Sequence, residues 1–237
     1  VCELGVNIDH VATLRQARGV AYPDPIEAAK ICESAGCNSI VCHLREDRRH
    51  IIDEDVHRLK KAVSTRLNLE MSIAKEIVDI ACHVKPEQAT LVPERRREVT
   101  TEGGLDVVKN LIDVKKAVGM LKDAGIEVSL FIDPIVEAVE ASMSIGVKTV
   151  EFHTGEYANA TSADERDREL KILQDCTRHA LSYGMTVNAG HGLNYDNVLP
   201  VANVRGMHEL NIGHSIVSYA VFYGLDEAVR KMKGIIG

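Results

Sequence analysis

The sequence contains no apolar run approaching the ~20 residues that a membrane-spanning helix needs, which argues against a helical membrane protein. It contains no C-x-x-C pair either. Its six cysteines (Cys2, Cys32, Cys37, Cys42, Cys82 and Cys176) mostly fall in apolar helix or strand patterns. There a free thiol reads as a small buried hydrophobe rather than as a metal ligand or half of a disulfide. Positive charge is not in excess, since 28 Lys and Arg face 35 Asp and Glu, for a formal net charge of -7. Duplex binding wants a basic surface, so no nucleic acid is expected as the main partner. Anionic small molecules stay open, because a local cluster of Arg and backbone N–H groups outweighs a distant acidic surface. Residues 1–5 show no basic stretch followed by an apolar one, so no signal peptide is expected there. The expectation is then no membrane partner and a cytoplasmic location.

What is present is an ordinary globular balance, 45% hydrophobic and 27% charged, in 237 residues. That length is close to the roughly 250 residues of a complete (β/α)₈ barrel. Short apolar strand patterns at 4–9, 39–45, 66–71, 88–93, 127–133, 149–154, 186–189 and 208–213 alternate with longer helical ones. The helical patterns run at 25–36, 53–64, 74–84, 109–124, 135–145, 163–183, 194–203 and 215–235. Gly36, Gly125, Gly146 and Gly184 each follow a helical stretch and precede a strand, as glycines closing a helix in a left-handed conformation do. Asp53 and Ser162 sit where N-caps belong. Strict alternation implies parallel strands joined by right-handed crossovers. The expected fold is α/β, a (β/α)₈ TIM barrel forming one domain over 1–237. An open doubly wound sheet is the runner-up, but no G-x-G-x-x-G follows the first strand.

Barrel enzymes place their reacting groups at strand C-termini. The first strand ends NIDH with Asn7, Asp9 and His10; the second ends with His43 and Arg45, the third with Asn68 and Glu70. The sixth ends with Glu151 and His153, the seventh with Asn188, His191 and Gly192, the eighth with Asn211, Gly213 and His214. Because residues i and i+2 share a strand face, polar groups converge on the barrel mouth from at least six strands. The turns at His191-Gly192 and Gly213-His214-Ser215 precede helical patterns, and loops after strands seven and eight often hold phosphate. No lysine lies near a strand C-terminus, and Lys148 sits at the opposite end of its strand. An enzyme-borne Schiff base is therefore not expected, and imine chemistry needs an amine supplied by a substrate. No H-x-H ends a strand and no H-E-x-x-H helix is present. A metal assembled from separate strands by His43, Glu70, Glu151, His153 and His191 stays as an alternative. Residues 94–105 (ERRREVTTEGGL), with three adjacent arginines and a Gly103-Gly104 pair, read as a mobile lid or as a solvated charged loop.

Ten blocks along the chain resemble the pyridoxine 5′-phosphate synthase family of vitamin B6 biosynthesis. They are GVNIDH (5–10), AYPDP (21–25), HLREDRRH (43–50), NLEM (68–71), LVPE (91–94), EVTTEGGLD (98–106), VSLFID (128–133), EFHTG (151–155), VNAGHGL (187–193) and MHELNIGH (207–214). The resemblance implies condensation of 3-amino-2-oxopropyl phosphate with 1-deoxy-D-xylulose 5-phosphate to pyridoxine 5′-phosphate, phosphate and water, with no metal and no organic cofactor. It implies His43 and Glu70 as general bases, His191 as general acid, and Glu151 in charge stabilisation or later proton transfers. Asn7, Arg18, Gly192, Gly213 and His214 are implied to hold the aminoketone phosphate. Asp9, His10, Arg45, His50 and Thr100 are implied to hold the sugar phosphate, with the Thr100 segment closing over it. A homo-octamer is implied as well. Two other readings remain, a metal-dependent barrel lyase or epimerase acting on a phosphorylated sugar, and a non-catalytic barrel that binds a phosphate ligand.

Overall fold

The eight strand patterns close into a barrel in the computed structural model, which describes residues 1–94 and 103–237. In chain order the elements are β1 (Glu3–Asn7), α1 (Asp9–Arg18), α2 (Pro25–Ser34), β2 (Ser39–Leu44), α3 (Asp53–Ala62), β3 (Arg66–Met71), α4 (Lys75–Val84) and β4 (Gln88–Leu91). There follow α5 (Leu111–Asp123), β5 (Glu127–Ile132), α6 (Val136–Ser144), β6 (Thr149–His153), α7 (Gly155–Asn159) and α8 (Ala163–Ser182). The chain finishes with β7 (Thr186–Gly190), α9 (Val198–Ala202), β8 (Met207–Ile212), α10 (His214–Tyr223) and α11 (Leu225–Ile236). All neighbouring strands pair in parallel, and β1 closes the ring by pairing with both β2 (Val6 with Ile40) and β8 (Leu4 with Leu210). The expected (β/α)₈ barrel is the observed one.

Alternation along each strand divides the molecule into two interiors. Leu4, Val6, Ile40, Leu44, Leu67, Leu69, Val150, Phe152, Val187 and Leu210 are fully buried in the apolar layer between strands and helices. The barrel's own centre is polar, whereas branched apolar residues usually fill it. Ser39 Oγ donates to Glu209 Oε2 at 2.8 Å, Arg66 also pairs with Glu209, and Thr90 Oγ1 donates to Asn68 Oδ1 at 2.8 Å. These pairs are tolerated there because they bond across the barrel to one another.

Several boundaries differ from the sequence expectation for local reasons. The first strand stops at Asn7, because Ile8 turns the chain (φ -103°, ψ 9°) and Asp9 opens α1. The short helix α7 also had no apolar period long enough to announce it. The last helical pattern breaks at Gly224 (φ 86°) into α10 and α11. Ser162 is the N-cap of α8, accepting from the Glu165 N–H at 3.2 Å. Asp53 is not a cap but the first helical residue of α3, and Asp55 instead accepts the Ile52 N–H at 3.0 Å. Gly36, Gly125, Gly146 and Gly184 have φ of 98°, 83°, 79° and 71°, in the left-handed region expected of them. All six cysteines are free, and all but Cys82 are buried. Among the described residues no helix is long and apolar enough to cross a membrane. Of the expected lid, 95–102, which includes Thr100, lies outside the described residues.

Candidate active site

A cavity of about 680 Å³ opens at the C-terminal ends of the strands. The four residues expected to be catalytic, His43, Glu70, Glu151 and His191, all line it. So do Asn7, Asp9, His10, Arg45, His50, Gly192, Gly213 and His214 among the expected binding residues. Arg18 does not; it is exposed at the C-terminal end of α1. The signal that placed Arg18 in the site was family motif alone, and one helix of ten residues separates it from β1.

Asn7 is the hub of one wall. Its Nδ2 donates to Asp9 Oδ2 at 2.9 Å and to Glu70 Oε2 at 3.3 Å, while its Oδ1 accepts the Asp9 N–H at 2.9 Å. Asp9 Oδ1 in turn accepts the His43 N–H at 2.8 Å. His43 Nε2 lies 2.9 Å from Glu94 Oε1, and Glu94 Oε2 accepts the Glu46 N–H at 3.0 Å. Burial raises the Glu94 carboxyl, but the His43 hydrogen bond, its charge and the Glu46 N–H outweigh that and hold it below its ordinary value. An ionised carboxylate only accepts, so His43 donates from Nε2 and its ring is oriented with Nδ1 on the opposite edge. Glu94, which had no role from the strand pattern, is thus the orienting partner of His43. It follows β4 by three residues, in a loop where period-2 reasoning does not reach.

Two carboxyls inside the barrel are held above the ordinary carboxylate range. Burial first, then repulsion from Glu151 and Asp9, push Glu70 well above the ordinary range, against the opposing hydrogen bond from Asn7. Burial also pushes Glu151 up to about 8, helped by repulsion from Glu209 and opposed by the hydrogen bond from Asn211 Nδ2 at 2.6 Å. Gly190 makes room for that carboxyl, since a Cβ there would collide with Glu151 Oε1. Glu70, expected as a general base, therefore carries a proton at rest and must release it before it can accept one. Burial, with His153 adding repulsion, lowers His191 to about 4, so its imidazole is neutral at rest near neutral pH.

Glu151 also links stability to pH. A carboxyl raised on folding stabilises the fold at low pH and loses that contribution as pH climbs from its unfolded value near 4.5 towards about 8. Glu151→Gln retains an oxygen acceptor for Asn211 but cannot ionise. Its melting temperature should therefore exceed that of the parent near pH 8 by a few degrees, roughly the shift that 1 kcal/mol produces in a domain of this size. The gap should close as pH falls towards 5. Melting curves across that range check it, and a parallel pH dependence of the two proteins would show that Glu151 is ionised throughout.

The mouth also offers anion contacts. Gly213 precedes the ten-residue helix α10, whose N-terminus opens on the cavity beside Gly192 (φ 76°), and the His10 and His214 rings lie 5.3 Å apart. On the other side Arg45, buried, reaches Asp47 at 3.3 Å, near the His43 and His50 rings, which are 6.0 Å apart. No lysine lines the cavity among the described residues. Of the residues considered as metal ligands, His43 and Glu70 come together with Asp9, with one ligand atom of each within 4.8 Å of the others. Glu151, His153 and His191 are not part of that group.

The family model of "Pyridoxal phosphate biosynthesis protein PdxJ" matches residues 4–237. A pyridoxine 5′-phosphate synthase of Trichlorobacter lovleyi is 53% identical over 236 residues, covering 100% of this chain and 99% of that protein. One from a Synechococcus species is 56% identical over 234 residues, covering 99% and 98%. Among solved structures, KGPDC from Streptococcus mutans superposes with a TM-score of 0.67 at 13% identity, covering 100% and 97%, a likeness of fold alone. With a match along nearly its whole length and relatives more than half identical, the chain belongs to the pyridoxal phosphate biosynthesis protein PdxJ family.

Proposed function

We propose that this chain is a pyridoxine 5′-phosphate synthase, condensing 3-amino-2-oxopropyl phosphate with 1-deoxy-D-xylulose 5-phosphate and releasing phosphate and water. The observation that carries the reading is one cavity with proton-transfer groups on several walls, anion contacts at two edges and, among the described residues, no lysine. The amine that forms the imine then comes from the aminoketone substrate, and the protein moves protons. His43, oriented by Glu94, is placed as a base. Glu70 enters protonated, gives its proton to a departing oxygen and returns as a carboxylate that removes one from carbon. Two phosphate-bearing substrates bring several negative charges beside His191, which favours its imidazolium and readies it as an acid. Glu151 serves later transfers or stabilises positive charge. Asn7, Gly192, Gly213 and His214 hold one phosphate substrate, and Asp9, His10, Arg45 and His50 the other. Arg18 and Thr100 join them only through the family resemblance. No cofactor is required by this scheme.

Production of pyridoxine 5′-phosphate from the two substrates, followed by its absorbance or by mass spectrometry, is the deciding experiment. Failure to form it with folded protein would remove the reading. A second reading, a metal-dependent lyase or epimerase on a phosphorylated sugar, is favoured by the Asp9, His43 and Glu70 grouping. Metal analysis, with the same assay before and after chelation, separates the two. Arg45→Ala should raise KM about tenfold for the sugar phosphate alone, because charge-assisted bonds to a phosphate contribute roughly 1.5–3 kcal/mol each. Equal changes for both substrates would place Arg45 elsewhere. Cytoplasmic residence is part of the proposal, supported by six free cysteines. So is a homo-octamer, supported by the exposed Val221, Phe222 and Tyr223 at the end of α10 and tested by light scattering.

A further inference from the structure

His153 is buried at the end of β6, yet it lies outside the lining of the reaction cavity. It stands between that cavity and a second one of about 310 Å³, which it lines together with Gly103, Asp133 and Tyr157. Its Nδ1 is 3.1 Å from Asp133 Oδ1. Asp133, just past β5, also accepts the Gly104 N–H through that same oxygen at 2.8 Å. The carboxylate is ionised, lowered first by the His153 bond and then, against burial, by the Gly104 N–H. His153 therefore donates from Nδ1, and its ring plane is set. Gly155 leaves the other edge of the ring free, since a Cβ there would collide with Nε2.

The His191 ring lies against this fixed imidazole, with centroids 5.1 Å apart and planes 55° apart. The backbone of His191 is held by the same short segment. Thr154 Oγ1 donates to the carbonyls of Gly190 at 2.7 Å and His191 at 2.6 Å, and the Thr154 N–H donates to the Gly190 carbonyl at 2.9 Å. His191 needs such holding, because its φ of 80° is unusual for a residue with a side chain.

We infer that His153, held by Asp133, is a positioning residue for His191, and that the pair sets how readily the His191 ring takes up and releases a proton. The physical route is short. A proton on His153 repels one on His191 across about 5 Å of protein, and Asp133 fixes which edge of His153 carries its hydrogen. The other titratable and charged groups facing His191's cavity are Glu151 from β6, Glu70 from β3, His43 from β2, Arg45, Arg49 and His50 after β2, Asp9 at the start of α1, and His10 and His214 at the mouth. The nearest imidazole, however, is His153, and burial together with its repulsion accounts for the low value of His191.

The inference rests on the proposed role of His191 only for its catalytic meaning, so two readouts keep them apart. The first is NMR titration of His191 in ¹³C-histidine-labelled protein, with its signal assigned from its loss in His191→Asn. In His153→Gln the midpoint of His191 should rise by on the order of one pH unit, since repulsion is removed while burial remains. An unmoved midpoint overturns the inference. Should His153→Gln not fold, Asp133→Asn, altering a carboxylate that is 42% exposed, takes its place. It should lower kcat about tenfold with both KM values unchanged, and Asp133→Glu should recover most of the loss. Full kcat in Asp133→Asn, while His191→Asn is inactive, overturns the inference too. A moved midpoint with an active His191→Asn supports the coupling and removes His191 from the proposed chemistry instead.

Discussion

Glu70→Gln should lower kcat by about 10²-fold or more, with KM for both substrates little changed, the usual scale for a lost general acid–base group. Gln keeps the size of the side chain and an oxygen for Asn7 Nδ2, so the wall built on Asn7, Asp9 and His43 should stand. What disappears is the exchangeable proton. Glu70 holds its proton tightly because burial makes ionisation costly, because ionising it along with Glu151 would set two like charges together, and because Asp9 is near. A group so placed releases a proton most easily to a strongly basic oxygen, such as a departing hydroxyl, and takes one back from carbon. The pH dependence of kcat should also lose the limb that belongs to the coupled carboxyls, which titrate as a pair. The assay is steady-state turnover of the two substrates with circular dichroism to confirm folding. Near-normal turnover would take Glu70 out of the mechanism.

Asp55→Ala should destabilise the protein by about 3–5 kcal/mol, the cost of leaving one partner of a buried ion pair unpaired. Arg15 in α1 and Asp55 in α3 form a two-pronged pair at 2.7 Å and 2.7 Å, and both are buried. The clamp does more than join two helices. Arg15 Nη2 also donates to the His50 carbonyl at 3.0 Å, and Asp55 accepts the Ile52 N–H at 3.0 Å. The segment carrying His50 to the cavity is thereby fixed at both sides. The variant should accordingly raise KM for one substrate along with the loss of stability. Replacing both partners, Arg15→Met with Asp55→Leu, leaves no stranded charge and should recover most of the stability, because desolvation largely cancels the attraction in such pairs. Urea unfolding at fixed protein concentration reads the difference. A loss under about 1 kcal/mol in Asp55→Ala would mean that water reaches Arg15 and the pair is effectively a surface one.

Much of the barrel was legible from local pattern. Side-chain alternation in a strand has a period of two, so the sharing of a face by His43 and Arg45, or Asn68 and Glu70, follows from spacing alone. The break between Gly36, Gly125, Gly146 or Gly184 and the next strand is likewise local, because a left-handed residue closes a helix wherever it stands. Repetition of one strand–helix unit eight times then leaves closure as the way to remove both sheet edges. The helix after β1 was not legible, since the strand pattern runs on through Asp9 whereas the chain already turns at Ile8.

The amino-acid order by itself determined the strand–helix alternation, the barrel and the set of polar residues at the strand ends, because each depends on backbone periods and turn chemistry within a few residues. Tertiary structure alone decided which of those residues meet. It set Glu94 against His43 across 51 positions and Asn211 against Glu151 across 60, kept Arg18 out of the cavity, and lodged His153 between Asp133 and His191. It also decided the proton states of Glu70, Glu151 and His191. Those depend on how much water and how many charges surround each group once the barrel has closed, and no local period carries that information.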